Sequence, residues 1–332
     1  MNSGKEFQDI RTAVIGAGSM GQNHARIYND ISNLVAIADI DDIQGKKIAE
    51  RFGIKWFSDY RDMLGEVDAV TVAVPTSIHR RVVEKVVREG VNVLVEKPLA
   101  GNSLDAEAIV EASETSGVTL AVGHVERHNE IVMKAKKSIK NREWGDVLTL
   151  SARRFSNYPL RIHDVGVLFD LTIHDVDVIC SLVDSNVKTV YAVGGKSRNE
   201  KHEDYVSLAI EFEDGLTGIC QTNWLTPMKV RELDITTTSG FIRLNYLKQE
   251  IDISSSTFSE IDEKNLFQPP MEVSERKLSF KGKEPLKSEL IDFLDAIMRK
   301  RKPLVTGNDG LTAVKIVEAG LRSLESNSVI KF

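Results

Sequence analysis

The amino-acid sequence predicts a two-domain α/β chain: a doubly wound parallel sheet first, then an α+β domain on a mostly antiparallel sheet. Three observations carry this. The first 122 residues alternate short apolar runs with helical patterns, and those runs lack strict alternation, as strands buried on both faces do. Beyond Gly123 the strand candidates lengthen and follow one another with few helices between them. Finally, 332 residues, 42% hydrophobic and 28% charged, is ordinary globular composition and comfortable for two domains.

In chain order, the apolar runs Thr12–Ile15, Leu34–Ala38, Ala69–Val74, Val91–Val95 and Val118–Val122 read as parallel strands, with Ile54–Phe57 a weaker one. Helical patterns cover Ser77–Glu89 and Ser103–Thr115, the latter with Ser103 as its cap and Gly117 past its end. Strand–helix alternation with short connections implies right-handed crossovers. After the boundary at 122/123 come a helix at Asn129–Lys140 and strands at Asp146–Phe155, Thr189–Gly194, Tyr205–Phe212, Thr217–Trp224 and Val230–Thr238. Glu213-Asp214-Gly215 makes a hairpin turn between two of these. A strong helix pattern spans Gly166–Val183, Ser254-Ser255-Ser256-Thr257 reads as a surface loop, and a final helix fits Gly310–Glu325. The domains are therefore 1–122 and 123–332, with the last helix expected near the first domain.

Composition also bounds the function. Forty-three Lys and Arg against 49 Asp and Glu give a net charge of -6, so no basic excess exists to hold nucleic acid. Cys180 and Cys220 fit neither a disulfide framework nor a zinc site. The start, MNSGKEFQDI, lacks a signal-peptide pattern, and no apolar run approaches the roughly 20 residues that span a bilayer. The expectation is a cytoplasmic protein with neither a membrane nor a nucleic-acid partner.

Gly16-Ala17-Gly18-Ser19-Met20-Gly21 follows the first strand and opens a helix. Gly16 permits the tight turn, Gly18 lets backbone approach a pyrophosphate, and Gly21 lets the helix pack on the strand. The helix N-terminus then offers N–H groups and a positive dipole end to phosphates. Asp39 closes the second strand roughly twenty residues on, where a carboxylate accepts hydrogen bonds from ribose hydroxyls and repels a 2′-phosphate. Ile40, Asp41 and Asp42 follow it without a cation, so NAD is predicted over NADP. The plain alternative for Asp39 is a residue of the next helix's first turn.

The strand Val91–Val95 runs into Glu96-Lys97-Pro98-Leu99 at the carboxyl end of the sheet, where ligands of open α/β sheets sit. Oxidising a carbinol requires a group to take the hydroxyl proton and to hold the developing oxyanion, and Lys97 suits either task. It equally suits a surface lysine beside a turn. Within Gly166–Val183, Asp170 and His174 are spaced i, i+4, with Asp177 near the same stripe. His174 is a candidate general base and Asp170 its orienter, against the alternative of a charged helix with a hydrogen-bonded histidine. Four other histidines, His24, His79, His124 and His128, show no metal spacing with a credible third ligand, so no metal is predicted.

Gly16-x-Gly18-x-x-Gly21, Val74-Pro75-Thr76-x-x-His79, Glu96-Lys97-Pro98 and Asp170-x-x-x-His174-Asp175 together resemble the Gfo/Idh/MocA oxidoreductases, in the same order and over most of the chain. The resemblance implies an N-terminal Rossmann dinucleotide-binding domain and a C-terminal α+β domain whose open sheet joins subunits into a homodimer or homotetramer. It implies NAD-dependent oxidation of a carbinol on a sugar, inositol or related compound. Lys97, Asp170 and His174 become catalytic. Pro75, Thr76, His79 and Glu96 join Gly16, Gly18, Ser19, Met20, Gly21 and Asp39 at the cofactor.

A narrower similarity, to the branch holding UDP-N-acetylglucosamine 3-dehydrogenases, lies in Gly123-His124-Val125-Glu126-Arg127 with Asn129, and in Arg153-Arg154, Pro159, Arg161 and Asp164-Val165-Gly166-Val167. Departures from it are His128, Glu130, Ser156-Asn157, Leu160 and His163. Guanidinium forks match phosphate oxygens, which makes Arg127, Arg153, Arg154 and Arg161 substrate-side candidates; surface salt bridging is their alternative. The resulting expectation is a keto sugar made from the 3-hydroxyl of a UDP-N-acetylhexosamine. The alternatives are an inositol or free-sugar dehydrogenase and a non-catalytic NAD-binding regulatory protein.

Overall fold

The computed structural model describes residues 6–159, 165–198, 200–258 and 271–332. Six parallel strands form the first sheet: β1 (Phe7–Ile15), β2 (Ser32–Ala38), β3 (Lys55–Phe57), β4 (Ala69–Val72), β5 (Asn92–Glu96) and β6 (Leu120–Gly123), in the order β3-β2-β1-β4-β5-β6. The order reverses beside β1, which opens a crevice at its carboxyl end. All four residues of β4 are buried, as are all four of β6, because helices cover both faces. The helices are α1 (Ser19–Ile31), α2 (Asp42–Phe52), α3 (His79–Arg88) and α4 (Ser103–Ser116). Asp41 caps α2 by accepting the Gln44 N–H, and Gly53 ends it in the left-handed region. The cap of α4 is Asn102, accepting from the Asp105 N–H at 2.8 Å, and not the expected Ser103, which is already helical.

The second sheet has nine strands: β7 (Val147–Phe155), β8 (Val187–Gly195), β9 (Tyr205–Phe212), β10 (Thr217–Asn223), β11 (Val230–Thr237), β12 (Gly240–Asn245), β13 (Glu250–Phe258), β14 (Met271–Ser279) and β15 (Ile330–Lys331). Their order is β14-β13-β12-β11-β7-β10-β9-β8-β15, antiparallel except for β7 with β10. Helices α5 (Glu130–Lys140) and α6 (Ile173–Leu182) complete this region; α7 (Pro285–Arg299) and α8 (Gly307–Ser326) follow. Ser254–Thr257, expected in a loop, lies inside β13, paired across to β14. A run of hydroxyl side chains shows no apolar alternation, so the ladder that makes it a strand is invisible in the pattern.

The chain forms two compact units, residues 1–128 with 284–315 and residues 129–283 with 316–332. The boundary expected at 122/123 thus precedes the first crossing, and α8 is divided between the units at Lys315/Ile316. The first core packs Phe7, Ile27, Tyr28, Ile37 and Leu94 with Leu290, Phe293 and Leu294 of α7, a helix the sequence reading left unassigned. Among the described residues, no helix is long and apolar enough to cross a membrane, and no group of three or more His, Cys, Asp and Glu could hold a metal.

Candidate active site

The turn after β1 is built from glycines that sterics require. Gly16 has φ +102°, and a Cβ there would lie 2.4 Å from the Ala73 carbonyl oxygen. A Cβ on Gly21 would lie 1.8 Å from the Gly16 oxygen. Gly18 differs: a Cβ would meet nothing within 4 Å, because its Cα faces open space. No side chain caps α1, which starts at Ser19, so its first N–H groups face outward with exposed Ser19 and Met20 beside them.

Gly16 and Gly18 line a groove of about 330 Å³ with Asp39, Tyr60, Pro75 and Arg81. Asp39 is half-buried, and its carboxylate accepts the backbone N–H groups of Ala17 (2.5 Å) and Asp41 (2.8 Å). These bonds fix the carboxylate against the glycine turn. Tyr60 and Arg81 were missed in the sequence because they reach the groove from separate segments; Arg81 stands two residues past the Pro75-Thr76-x-x-His79 motif, the one signal that could have found it. The glycine cradle, its opening at Gly18 and the fixed carboxylate fit a dinucleotide with its pyrophosphate on α1 and its ribose on Asp39.

Strand β5 ends in Glu96, and the loop after it carries half-buried Lys97 and Pro98, joined to Lys97 by a cis peptide bond. Glu96 turns inward. Its Oε1 lies 2.8 Å from Nε2 of fully buried His24, and its Oε2 accepts the Lys97 N–H at 3.2 Å. Burial pushes the Glu96 carboxyl up, but the His24 hydrogen bond, His24 and Lys97 outweigh it and hold the group below the usual carboxylate range. His79 is also buried. Its Nδ1 lies 3.0 Å from the Pro98 oxygen and its Nε2 2.9 Å from the Val74 oxygen, and burial pulls its pKa down. His79 and Glu96, expected at the cofactor, therefore tie the ends of β4 and β5 to the Lys97 loop from beneath. Thr76 sits in a short helical turn just before α3, next to the groove-lining Pro75.

In the second unit, Leu168–Thr172 form a π-turn leading into α6, with the Ile173 N–H bonded to the Leu168 oxygen. Such turns recur at functional sites. Asp170 and His174 are half-buried, whereas Leu171, Thr172, Ile173, Asp175, Val176 and Asp177 are buried, so this pair forms the accessible stripe of the segment. Glu203 fixes the start of the turn by accepting the Leu168 N–H at 3.0 Å. Burial raises the Glu203 pKa, and Gly166 leaves room for its carboxylate, since a Cβ there would lie 2.1 Å from Oε1.

The four arginines expected on the substrate side lie in different settings. Arg154 is 2% exposed and grips Asp175 through Nε and Nη2 at 2.8–3.1 Å. Arg127, in the first unit, is 6% exposed and paired with Asp309 at 2.8 Å. Arg154 and Asp175 form a buried ion pair, whereas Asp309 is only half-buried; both partners are distant in sequence. Arg153 is half-buried beside Glu232 at 2.6 Å. Arg161 lies outside the described residues.

A doubly wound sheet carrying this cradle defines an NAD-binding oxidoreductase. Residues 10–124 match the model of the oxidoreductase family with an NAD-binding Rossmann fold, and residues 132–243 match the GFO/IDH/MocA C-terminal domain. The chain belongs to the Gfo/Idh/MocA oxidoreductase family. It is 26% identical to the UDP-N-acetylglucosamine 3-dehydrogenase of Acidithiobacillus ferrooxidans over 94% of this chain and 96% of the relative. A solved structure of that enzyme superposes with a TM-score of 0.86 at 25% identity, over 96% of this chain and 98% of the other. The chain is likewise 26% identical to the scyllo-inositol 2-dehydrogenase (NAD(+)) of Bacillus subtilis, over 97% of this chain and 96% of the relative. GenD2 from gentamicin A biosynthesis, solved in complex with NAD, gives a TM-score of 0.83 at 25% identity over 100% of this chain and 98% of the other. This protein is an NAD-dependent dehydrogenase acting on a CH–OH group.

Proposed function

We propose that the protein oxidises the 3-hydroxyl of a UDP-N-acetylhexosamine to a ketone. Bound NAD supplies the acceptor for the hydride that leaves the carbinol carbon. His174 takes the hydroxyl proton, Asp170 orients His174 and the substrate, and Lys97 steadies the developing oxyanion. Gly16, Gly18, Ser19, Met20 and Gly21 hold the pyrophosphate, and Pro75 and Thr76 border it. Asp39 holds the ribose and favours NAD over NADP. The observation that carries the acid–base assignment is the accessible Asp170–His174 pair on its π-turn, amid buried neighbours. Full-length likeness to the 3-dehydrogenase supports the substrate class.

A second reading, an inositol or free-sugar dehydrogenase, is favoured by the pairing of Arg127 with Asp309 and of Arg154 with Asp175, which occupies two of the four guanidinium groups expected at a pyrophosphate. NADH formation decides between them, with UDP-N-acetylglucosamine, its uronic acid, UDP-glucose, myo-inositol and free hexoses as the panel and hydrazine as a ketone trap. Turnover confined to UDP-sugars supports the first reading, and turnover confined to inositol or hexoses replaces it with the second. Silence across the panel, with NAD binding intact, would favour a non-catalytic regulatory protein or a substrate outside the panel. Lys97→Ala and His174→Ala should each cost about 10²–10⁴ in kcat.

The second sheet supports self-association into a homodimer or homotetramer. Val193, Tyr205, Ile219 and Phe241 stand exposed on strand positions that alternate with buried ones, on the open face. NAD dependence fits a cytoplasmic enzyme.

A further inference from the structure

We infer that a buried hydrogen-bonded chain, Tyr28–Thr71–His24–Glu96, is the positioning device of the Lys97 loop: it holds the Glu96 carboxylate against the Lys97 backbone and so fixes the seat of that lysine. The inference rests on the reading of Lys97 as catalytic. The links are Tyr28 OH to Thr71 Oγ1 (2.9 Å), Thr71 Oγ1 to His24 Nδ1 (3.2 Å) and His24 Nε2 to Glu96 Oε1 (2.8 Å). The Lys97 N–H to Glu96 Oε2 (3.2 Å) closes the chain on the loop itself. Tyr28, Thr71 and His24 are wholly buried.

Thr71 Oγ1 bridges Tyr28 and His24, so the imidazole is held through both ring nitrogens, Nδ1 toward Thr71 and Nε2 toward Glu96. Burial also pushes the Tyr28 hydroxyl pKa well up, so it stays a donor. The fold makes room for the anion on β6, where a Cβ on Gly123 would lie 3.1 Å from Glu96 Oε2.

The charged and titratable groups around the chain come from four segments. His24 on α1, Lys97 on its own loop and His79 on α3 act on Glu96 or feel it, and Glu289 on α7 acts on Tyr28. The bond from the Lys97 N–H to Glu96 Oε2 ties the loop to the buried chain.

The test reads the Lys97 loop directly, in the whole chain, by amide hydrogen exchange of the peptide that carries Lys97, alongside kcat on the active substrate of the panel. Glu96→Gln keeps the shape but leaves only a neutral amide to accept the Lys97 N–H, and should speed exchange in that peptide and cut kcat about tenfold. His24→Leu should do the same, with NAD affinity unchanged. His24→Gln, which restores an N–H near the Nε2 position, should recover most of that loss. Thr71→Val removes the middle link without changing shape and should give a smaller effect of the same sign, which covers the case in which Glu96→Gln does not fold. Unchanged exchange and kcat in folded Glu96→Gln, or in Thr71→Val should Glu96→Gln not fold, overturn the inference. So does His24→Gln as impaired as His24→Leu. Full turnover in Lys97→Ala would instead end the catalytic reading while leaving the exchange differences to stand.

Discussion

The two sheets use their side chains in opposite ways. In the first, strands such as β4 and β6 are buried on every residue, so their side chains can only pack. Chemistry is pushed to the carboxyl ends, where Gly16, Asp39, Pro75 and Lys97 follow β1, β2, β4 and β5. In the second sheet burial alternates, so β9 exposes Tyr205 and buries Val206, leaving a whole face open. There the acid–base candidates stand on a helix, and the sheet offers area to another surface. A parallel sheet makes a site by its edges, whereas a half-covered antiparallel sheet makes an interface by its face.

The comparison can be broken from the large effects downward. Arg154→Ala strips the partner from buried Asp175 and should cost about 3–5 kcal/mol in urea unfolding; a loss under 1 kcal/mol would return Arg154 to the list of substrate ligands. Gly21→Ala forces a Cβ into the Gly16 oxygen, so the melting temperature and NAD affinity should fall together, with about 1–3 kcal/mol of stability lost. Gly18→Ala separates the two effects: the melting temperature should hold while NAD affinity, read by fluorescence quenching, drops about tenfold or more, near 1.4 kcal/mol.

The next effect depends on pH. Burial raises the Asp309 pKa, but Arg127 and the Thr306 hydrogen bonds outweigh it and hold the group below its ordinary value. Its folded pKa is therefore depressed, so its stabilisation is present above the unfolded value near 4 and is lost as pH falls through the lower folded value. Acid unfolding below about pH 4 should carry this contribution, and Asp309→Asn should flatten that limb while lowering stability at pH 7. Smallest of all, Ile219→Glu on the open face should move the melting temperature by under about 0.5 kcal/mol-equivalent yet reduce the oligomer mass seen by sedimentation.

Local features were legible in the sequence, and pairings over distance were not. The glycine turn, the residue ending β2, the Lys97 loop and the Asp170–His174 stripe are all set by neighbours within a few residues. The partners of the arginines are not: Arg154 finds Asp175 21 residues away, and Arg127 finds Asp309 182 residues away. Read alone, a guanidinium is equally a phosphate ligand and half of a buried pair. The inward turn of Glu96 toward His24, across 72 residues, was hidden for the same reason. Strand β13 escaped because its hydroxyl-rich run carries no pattern of burial, and α7, between the last strand and the expected final helix, went unassigned.

That late helix has a consequence for how the protein is made. Leu290, Phe293 and Leu294 belong to the same core as Phe7, Ile27 and Ile37. During synthesis the first 128 residues leave the ribosome well before these three side chains exist, so the first unit waits, unfinished, while strands β7 to β14 are translated. Its apolar edge is exposed to chaperones throughout that interval. A gene fragment ending at residue 128 would carry the nucleotide cradle but lack part of its own interior, and dissecting this protein into working halves calls for grafting residues 284–315 back onto the amino-terminal piece.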